Sequence, residues 1–315
     1  MSVRIFKDQA HQEQFDREGF ICLPFLLDEE VKELDAFFDE LHPNLRENGF
    51  FSGSYSSDFA YKQRASEKIV EVFSRAYEKT FINFTPFGGA FLYKTPGDQS
   101  ELAAHQDWTI VNEDEAIALN CWVPLCDVSF ENGPIMVLPG SQYTKHPVLR
   151  APTLPFFFSG NDDLVVDELI PMEVKAGTAV ILNQSVIHYS PKNTTDTVRK
   201  AITAGVKSQG DIMRFHYKIP NEDKLEIFEE DDDFLLRFDN FIEDIAQRPK
   251  LGKSIGFIDY NLPQYSREEL YAKLKELKSA AGYPMKTPPP EVEKLTDKHA
   301  VPSTFFDKIR SLWKN

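Results

Sequence analysis

The sequence predicts an α+β fold: a jelly-roll, cupin-like barrel flanked by helices, with a helical appendage at the C-terminal end. Three observations carry that reading. Helical patterns fill most of residues 8–80. From about residue 85 to residue 218, short apolar or alternating runs recur between Gly, Pro and Asn turns, the pattern of a double-sheet closure that manages exposed strand edges. Beyond Pro220 the chain turns acidic and its apolar spacing becomes helical again.

Taken in order, residues 8–18 read as a short helix stopped by Gly19, and residues 20–25 as a strand. Asp28 is expected to cap a second helix. Its Glu30, Lys32 and Glu33 face water, while Val31, Leu34, Phe37, Phe38 and Leu41 form an apolar stripe. His11 and His42, on or beside these helices, read as solvated surface histidines. Residues 48–58 are rich in Gly and Ser with interleaved aromatics, either a plain surface loop or one that contacts substrate. A third helix spans 59–80 and buries Ile69, Val70, Val72, Phe73 and Ala76. Residues 85–95 look like a long strand, with Gly88 and Gly89 marking a bulge or a close backbone approach.

Short strands follow at 104–111, 116–125, 134–138, 164–174, 178–183, 199–206 and 211–218. Turns fall at Pro96-Gly97, Asn132-Gly133, Pro139-Gly140, Ser159-Gly160 and Ala176-Gly177. Further helices are expected at 231–246, at 266–280 with Ser266 as cap and Glu269 at the capping-box position, and at 303–313. This divides the chain near residue 220. A domain of residues 1–220 carries the barrel, and residues 221–315 form a helical extension packed on it.

Composition narrows the function classes. Hydrophobic residues make up 42% of the 315, with 26 Phe, enough for a substantial core. A net charge of −15 argues against binding nucleic acid or an anionic membrane, since both would repel it. Cys22, Cys121 and Cys126 are odd in number and lack zinc spacing, which fits a reducing compartment; Cys121 and Cys126 read as small buried hydrophobes. The N-terminus has no apolar signal core, and no run approaches a membrane span. The expectation is a cytoplasmic protein, monomer or homodimer, whose partner is a small molecule.

Chemistry concentrates around His105-Gln106-Asp107. On an extended strand, residues i and i+2 share a face, so His105 and Asp107 would project together. One distant imidazole, His188, completes two histidines and a carboxylate, the set that suits a facially bound non-haem Fe(II) with open positions. A His-x-acid triplet is expected about once by chance in this composition, so the pair is weak alone. Its company strengthens it: His188 follows the β-rich run 177–183, and Arg199 opens a second apolar run at 199–206. Along 116–125, Ile117, Leu119, Cys121, Val123 and Leu125 share one face, while Ala118, Asn120 and Trp122 share the other. One face would pack outward on helices and the other would line the barrel.

In combination, several motifs resemble the phytanoyl-CoA dioxygenase family over roughly residues 10–220. They are His105-Gln106-Asp107, Trp122-Val123-Pro124-Leu125, the run from Glu131-Asn132-Gly133 to Pro139-Gly140-Ser141, His188-x-Ser190, and Asn193 followed by Arg199. The resemblance implies a double-stranded β-helix with helices packed on one sheet. It also implies Fe(II), 2-oxoglutarate and O2 as cofactor and cosubstrates, and hydroxylation of an unactivated C–H with release of succinate and CO2. By the same resemblance His105, Asp107 and His188 hold the metal. Arg199 anchors the distal carboxylate of 2-oxoglutarate, a pairing that guanidinium makes bidentately and without deprotonating. Ser190 would donate to that carboxylate and Trp122 would lie against the cosubstrate; Asn120 joins them by alternation on its strand.

Trp108, Tyr93, Lys94, Tyr55, Gln106 and His216 are candidates for the substrate pocket, each also open to a core reading. Related halogenases carry a small residue in place of the acid, so Asp107 favours hydroxylation. One departure from the family is Gln142, where many members have His. The alternatives are a cupin-type metalloenzyme, isomerase or hydrolase, working without 2-oxoglutarate, and a non-catalytic binding protein on the same fold. The substrate class stays open among acyl-CoA thioesters, amino acids, phosphonates and natural-product scaffolds.

Overall fold

The computed structural model describes residues 3–45, 49–144 and 148–288, Ile242 by its backbone only. The helix expected at 303–313 lies outside the described residues. Helix α1 (Gln9–Glu18) starts where the Asp8 carboxylate accepts the His11 N–H, and it ends at Gly19, whose φ of 84° needs no Cβ to be displaced. Strand β1 (Phe20–Pro24) leads to α2 (Asp28–Leu41). The cap of α2 is Leu27 rather than Asp28: the Leu27 N–H donates to Glu30 Oε2 at 2.8 Å, which leaves Asp28 inside the first turn, where the helix dipole favours its charge. Glu30 is half-buried rather than solvated, because it also accepts from Arg75 Nε at 2.8 Å.

Strand β2 (Phe50–Ser52) and helix α3 (Phe59–Thr80) follow. His42 is not a solvated histidine. Its ring stacks on Phe38 at 4.2 Å, with Nδ1 against the Phe38 carbonyl and Nε2 against the Tyr61 hydroxyl, and burial lowers its pKa.

The barrel strands are β3 (Phe84–Lys94), β4 (Leu102–His105), β5 (Ala118–Pro124), β6 (Met136–Val137), β7 (Ile170–Pro171), β8 (Thr178–Asn183), β9 (His188–Ser190) and β10 (Arg199–Ser208). They form two antiparallel sheets, β1-β8-β5-β10-β3-β2 and β4-β9-β6-β7. This is the double-stranded β-helix that the sequence led us to expect. Between β3 and β10 the register shifts at Thr203/Gly205, beside Gly88. A Cβ at Gly205 would lie 2.2 Å from the Phe87 ring, so the bulge requires glycine there.

The larger sheet has two working faces. Its outer face, with Phe91, Leu119, Cys121, Val123, Ile181 and Ile202, packs on Leu34, Phe38, Ile69 and Phe73 of the helices. Its inner face, with Leu92, Trp122, Val180, Leu182 and Ala201, meets Ile135, Val137 and Met172 from the smaller sheet's side. The alternation read on 116–125 holds residue by residue.

Three stretches differ from expectation. The 104–111 strand ends at His105, so Asp107 sits in extended coil two residues beyond it. The 164–174 strand is instead helix α4 (Asp162–Glu168) followed by the two residues of β7. Leu164 and Val165 bury in one cluster with Leu270 and Leu274 of α6 (Arg267–Ala280), and Arg267 pairs with Asp163, so tertiary packing overrides β propensity. The 231–246 helix is a 3-10 turn at Phe234–Leu236 and one turn of α5 (Phe241–Asp244). Here Arg237 folds back onto Glu230 and Asp231, while Phe234, Phe238 and Phe241 turn inward as an aromatic group.

The C-terminal third also holds strands. β11 (Met213–Lys218), β12 (Lys224–Glu230) and β13 (Lys253–Asp259) make a small antiparallel sheet. Helix α6 is where the sequence places it, with the Ser266/Glu269 capping box formed. Among the described residues no helix is long and apolar enough to cross a membrane.

Glu168 fastens this region to the barrel. Fully buried, it meets Lys278 Nζ at 2.5 Å and accepts from the Lys286 and Thr287 N–H groups and the Thr287 hydroxyl. Burial alone would raise its pKa, but the donors outweigh burial and bring it down to about 2. A pKa depressed in the folded state stabilises the fold above the unfolded carboxyl value and loses that contribution as pH falls through it. Glu168→Ala strands the buried Lys278 ammonium and is expected to cost about 3–5 kcal/mol at neutral pH. The deficit should shrink between about pH 4.5 and pH 2. Urea melts of both proteins across that range check it, and a deficit that stays constant would remove Glu168 as the origin.

Candidate metal centre

Three side chains converge between the two sheets. His105 ends β4, His188 begins β9, and the two strands pair with these residues opposite each other. Their rings lie 4.1 Å apart, centre to centre. Asp107 Oδ1 is 4.0 Å from His188 Nε2, and one ligand atom from each residue lies within 4.8 Å of the others. Each histidine engages Nδ1 with a backbone carbonyl, His105 with Ala103 at 2.8 Å and His188 with Val186 at 3.0 Å. Those bonds fix the tautomer and leave each Nε2 with its lone pair for a metal. Hydrogen bonding to carbonyls two residues back in the chain thus aims both rings locally, before any long-range contact.

Asp107 needs tertiary support because no strand holds it. Its backbone carbonyl accepts from Arg150 Nε at 2.9 Å, and Arg150 is itself paired with Glu113 in a buried ion pair. Its Oδ2 accepts from Asn120 Nδ2 at 3.3 Å, and Asn120 Oδ1 accepts in turn from the Thr203 hydroxyl. The strand-face reading reached Asn120 but not its bond with Thr203, and it missed Arg150. Thr203 was legible as a residue sharing the face of Arg199, whereas Arg150 had no local signal at all. Asn120→Ala is expected to weaken divalent-metal binding about 10–100-fold with the fold intact. Metal titration by calorimetry measures this, and unchanged affinity would show that Asn120 does not orient the carboxylate.

Arg199 starts β10, opposite Lys94 on β3, and only 2% of it is exposed. Its guanidinium lies over the Trp122 ring at 5.2 Å, while Nε and Nη1 have no hydrogen-bond partner among the described residues. Burial brings its pKa down to about 10, so it remains a cation at neutral pH. A buried cation with unused donors is costly unless something anionic meets it.

Arg199, Trp122, Ser190, Asn120, His105, Asp107 and His188 all line one cavity of about 240 Å³. The metal-centre and cosubstrate residues read from sequence therefore come together. Ser190 Oγ donates to the Gly133 carbonyl at 3.1 Å.

The substrate-pocket candidates divide. Trp108 and Tyr55 line the cavity, and the 48–58 loop contributes Phe50, Ser52, Gly53 and Ser54 to its wall. Gln106, Tyr93, Lys94 and His216 are not among the lining residues. Gln106 points the other way, donating to Thr144 Oγ1 and the Ser185 carbonyl. Tyr93 stacks on Phe51 in the helix-facing core. Lys94 is wholly buried and donates to the Ser190 and Pro191 carbonyls; burial and then the nearby Arg199 hold its pKa well below the usual lysine value. His216 packs behind the Asp107 loop with Nδ1 on the Thr109 carbonyl, and burial lowers its pKa to about 4. Gln142 lies outside the cavity as well. Its amide donates to the Asp16 carbonyl and so ties the 141–144 turn to α1, which accounts for the departure noted there.

Fold and site together define a double-stranded β-helix protein with a two-histidine, one-carboxylate cluster that could hold a metal ion, and with a buried arginine in the same cavity. The chain belongs to the phytanoyl-CoA dioxygenase family, whose sequence profile matches residues 15–201. Curated relatives include "Phytanoyl-CoA dioxygenase 1" of Oryza sativa subsp. japonica, 29% identical over 118 residues, and "Phytanoyl-CoA dioxygenase domain-containing protein 1" of Danio rerio, 33% identical over 120. These matches cover 37% and 36% of this chain and only 42% and 41% of the relatives' own length. Among solved structures, HygX from Streptomyces hygroscopicus with nickel and 2-oxoglutarate bound aligns at TM-score 0.48 and 17% identity, over 64% of this chain and 87% of that one. The 2-oxoglutarate-dependent carbocyclase SnoK of nogalamycin biosynthesis aligns at 0.47 and 16%, over 65% and 86%.

Proposed function

We propose that the protein is a non-haem Fe(II)- and 2-oxoglutarate-dependent dioxygenase that hydroxylates an unactivated C–H of a small molecule. In balance, R–H, O2 and 2-oxoglutarate give R–OH, succinate and CO2. One observation carries the reading: Arg199, whose Nε and Nη1 have no partner among the described residues, lines the same cavity as the His105/Asp107/His188 triad.

Each residue's part follows from its position. His105, Asp107 and His188 would hold Fe(II) on one face and leave other coordination positions open to the cavity. Bound there, Fe(II) would supply the redox chemistry that couples O2 to oxidation of the 2-oxo acid and the substrate. Arg199 would receive the far carboxylate of 2-oxoglutarate, satisfying its unused donors, with Trp122 as a flat wall beside it. Asn120 holds Asp107 in its orientation. The cupin-type alternative needs no buried cation awaiting a carboxylate, and Arg199 speaks against it. The relation of residues 1–220 as catalytic domain to residues 221–315 as an extension packed on it belongs to the same proposal. So does cytoplasmic residence as a monomer or homodimer, with which three free cysteines agree.

Anaerobic titration of metal-free protein with Fe(II) and 2-oxoglutarate tests this. A weak visible charge-transfer band should appear when both are present. No band from folded, metal-loaded protein would remove the oxygenase reading.

A further inference from the structure

Beyond strand β10, which itself runs past the family-matching residues 15–201, one further segment contributes a wall to the cavity. Leu235, Leu236 and Phe241 line it, all from the segment between β12 and β13. The Phe241 ring lies 5.0 Å from Tyr55 and 5.7 Å from Trp108, nearly parallel to the latter at 11°. Trp108 adjoins the metal-centre residue Asp107 in sequence, so these three rings make a continuous aromatic surface leading away from the metal centre. The segment is pinned from the opposite wall. Lys62 of α3, only 3% exposed, donates to the Phe238 carbonyl at 2.5 Å.

Charge on this side of the cavity is spoken for. Among the described residues, the charged lining residues apart from the histidines are Lys62, Asp107 and Arg199. Asp107 and Arg199 are assigned above. Lys62 is tied to Phe238, and the charges acting on it are the carboxylates of Asp239, Asp244 and Asp58. With Arg199, Asp107 and Lys62 each engaged in this way, no charged lining residue among those described is left to meet the phosphates of a CoA thioester.

We propose that the 234–241 segment is the substrate-selecting wall, that Phe241 is a specificity-determining residue, and that the substrate is a small, uncharged apolar molecule rather than an acyl-CoA thioester. This rests on the oxygenase reading above. Phe241 limits how far an apolar chain or ring extends along Trp108 and Tyr55, and Lys62 acts as a positioning residue by holding the segment that carries Phe241. The wall lies beyond the family-matching residues, so it tailors a shared metal centre to this chain's own substrate.

The probes are methyl esters of acids from about four to twelve carbons and the CoA thioesters of the same acids. Succinate release and hydroxylated product are the readouts, with Fe(II) and 2-oxoglutarate supplied. Wild type is expected to turn over neutral esters up to a length limit and to reject the thioesters. Phe241→Ala should move that limit to longer esters and raise kcat/KM for the longest at least about tenfold, the lower end of what one methylene contributes in an apolar pocket, while KM for 2-oxoglutarate stays within about twofold. Phe241→Leu, a milder change, should shift the limit in the same direction and covers the case in which the alanine variant fails to fold. Lys62→Met should raise KM for the esters more than it lowers kcat. The proposal is overturned if the thioesters are preferred, if the limit is the same in both Phe241 variants, or if no ester is turned over although the Fe(II)–2-oxoglutarate band forms. Absence of the band itself would mark failure of the oxygenase reading instead.

Discussion

Exchanging Arg199 for methionine is expected to raise the stability of the ligand-free protein while abolishing its response to 2-oxoglutarate. In the wild type the guanidinium is buried, and Nε and Nη1 have no partner among the described residues, so without a bound anion its charge is uncompensated. An apolar side chain of similar length removes that desolvation cost and gives up only the contact with Trp122, worth about 1 kcal/mol or somewhat more. The net gain should be on the order of 1 kcal/mol, within the range seen when buried charges are replaced by packed hydrophobes. Affinity moves the opposite way. Removing one partner of a buried charge pair costs about 2–5 kcal/mol, or roughly 30- to several-thousand-fold in Kd for 2-oxoglutarate. Thermal melts with and without 2-oxoglutarate, in Fe(II)-loaded protein, read both effects together. A variant that is less stable when empty and still stabilised by 2-oxoglutarate would show that Arg199 is a structural cation.

His188→Ala should remove metal binding outright. Even the residues that merely orient metal ligands typically contribute 10–100-fold in affinity, so loss of one of three ligands should cost on the order of a hundredfold or more. His188 also opens β9, but its ladder pairing with β4 and β6 is made by the backbone, and its side chain's hydrogen bond is from Nδ1 to the Val186 carbonyl two residues back, so the strand should survive the change. The informative control is His216→Ala. His216 is as buried as the site histidines and hydrogen-bonds a carbonyl in the same way, but it lies behind the Asp107 loop and outside the cavity. It should lower stability and leave Fe(II) affinity where it was. Equal loss of Fe(II) binding in both variants would indicate that unfolding, rather than ligand removal, is being measured.

Much of the site was legible from local signals. His105 and His188 were visible because each sits at a strand terminus, and because a carbonyl two residues upstream suffices to set each ring. Asn120 and Trp122 followed from strict alternation on β5, since a strand with helices on one side and a cavity on the other has only two faces to assign. Asp107 joins the two histidines for a reason that differs from the one read in the sequence. It is held by Asn120 and by Arg150 on its carbonyl, not by a strand face. Lys94 and Tyr93 were misplaced because Tyr93 faces the helix-side core and Lys94 turns to the Ser190 and Pro191 carbonyls, partners far away in the chain that strand position does not reveal.

The sequence by itself determined what depends on near neighbours: helix caps at Gly19 and Ser266, the glycine bulge in β3, the inward and outward faces of β5, and the residue types that can hold a divalent metal and a carboxylate. Tertiary structure alone decided the rest. It turned the expected 164–174 strand into a helix by offering Leu270 and Leu274 as partners, broke the expected 231–246 helix so that Phe241 could reach Trp108, and left the Arg199 donors unused. The reason is physical. Caps, bulges and alternation are settled within a few residues, whereas burial and the cost of an unpaired charge depend on groups that lie far apart in the chain.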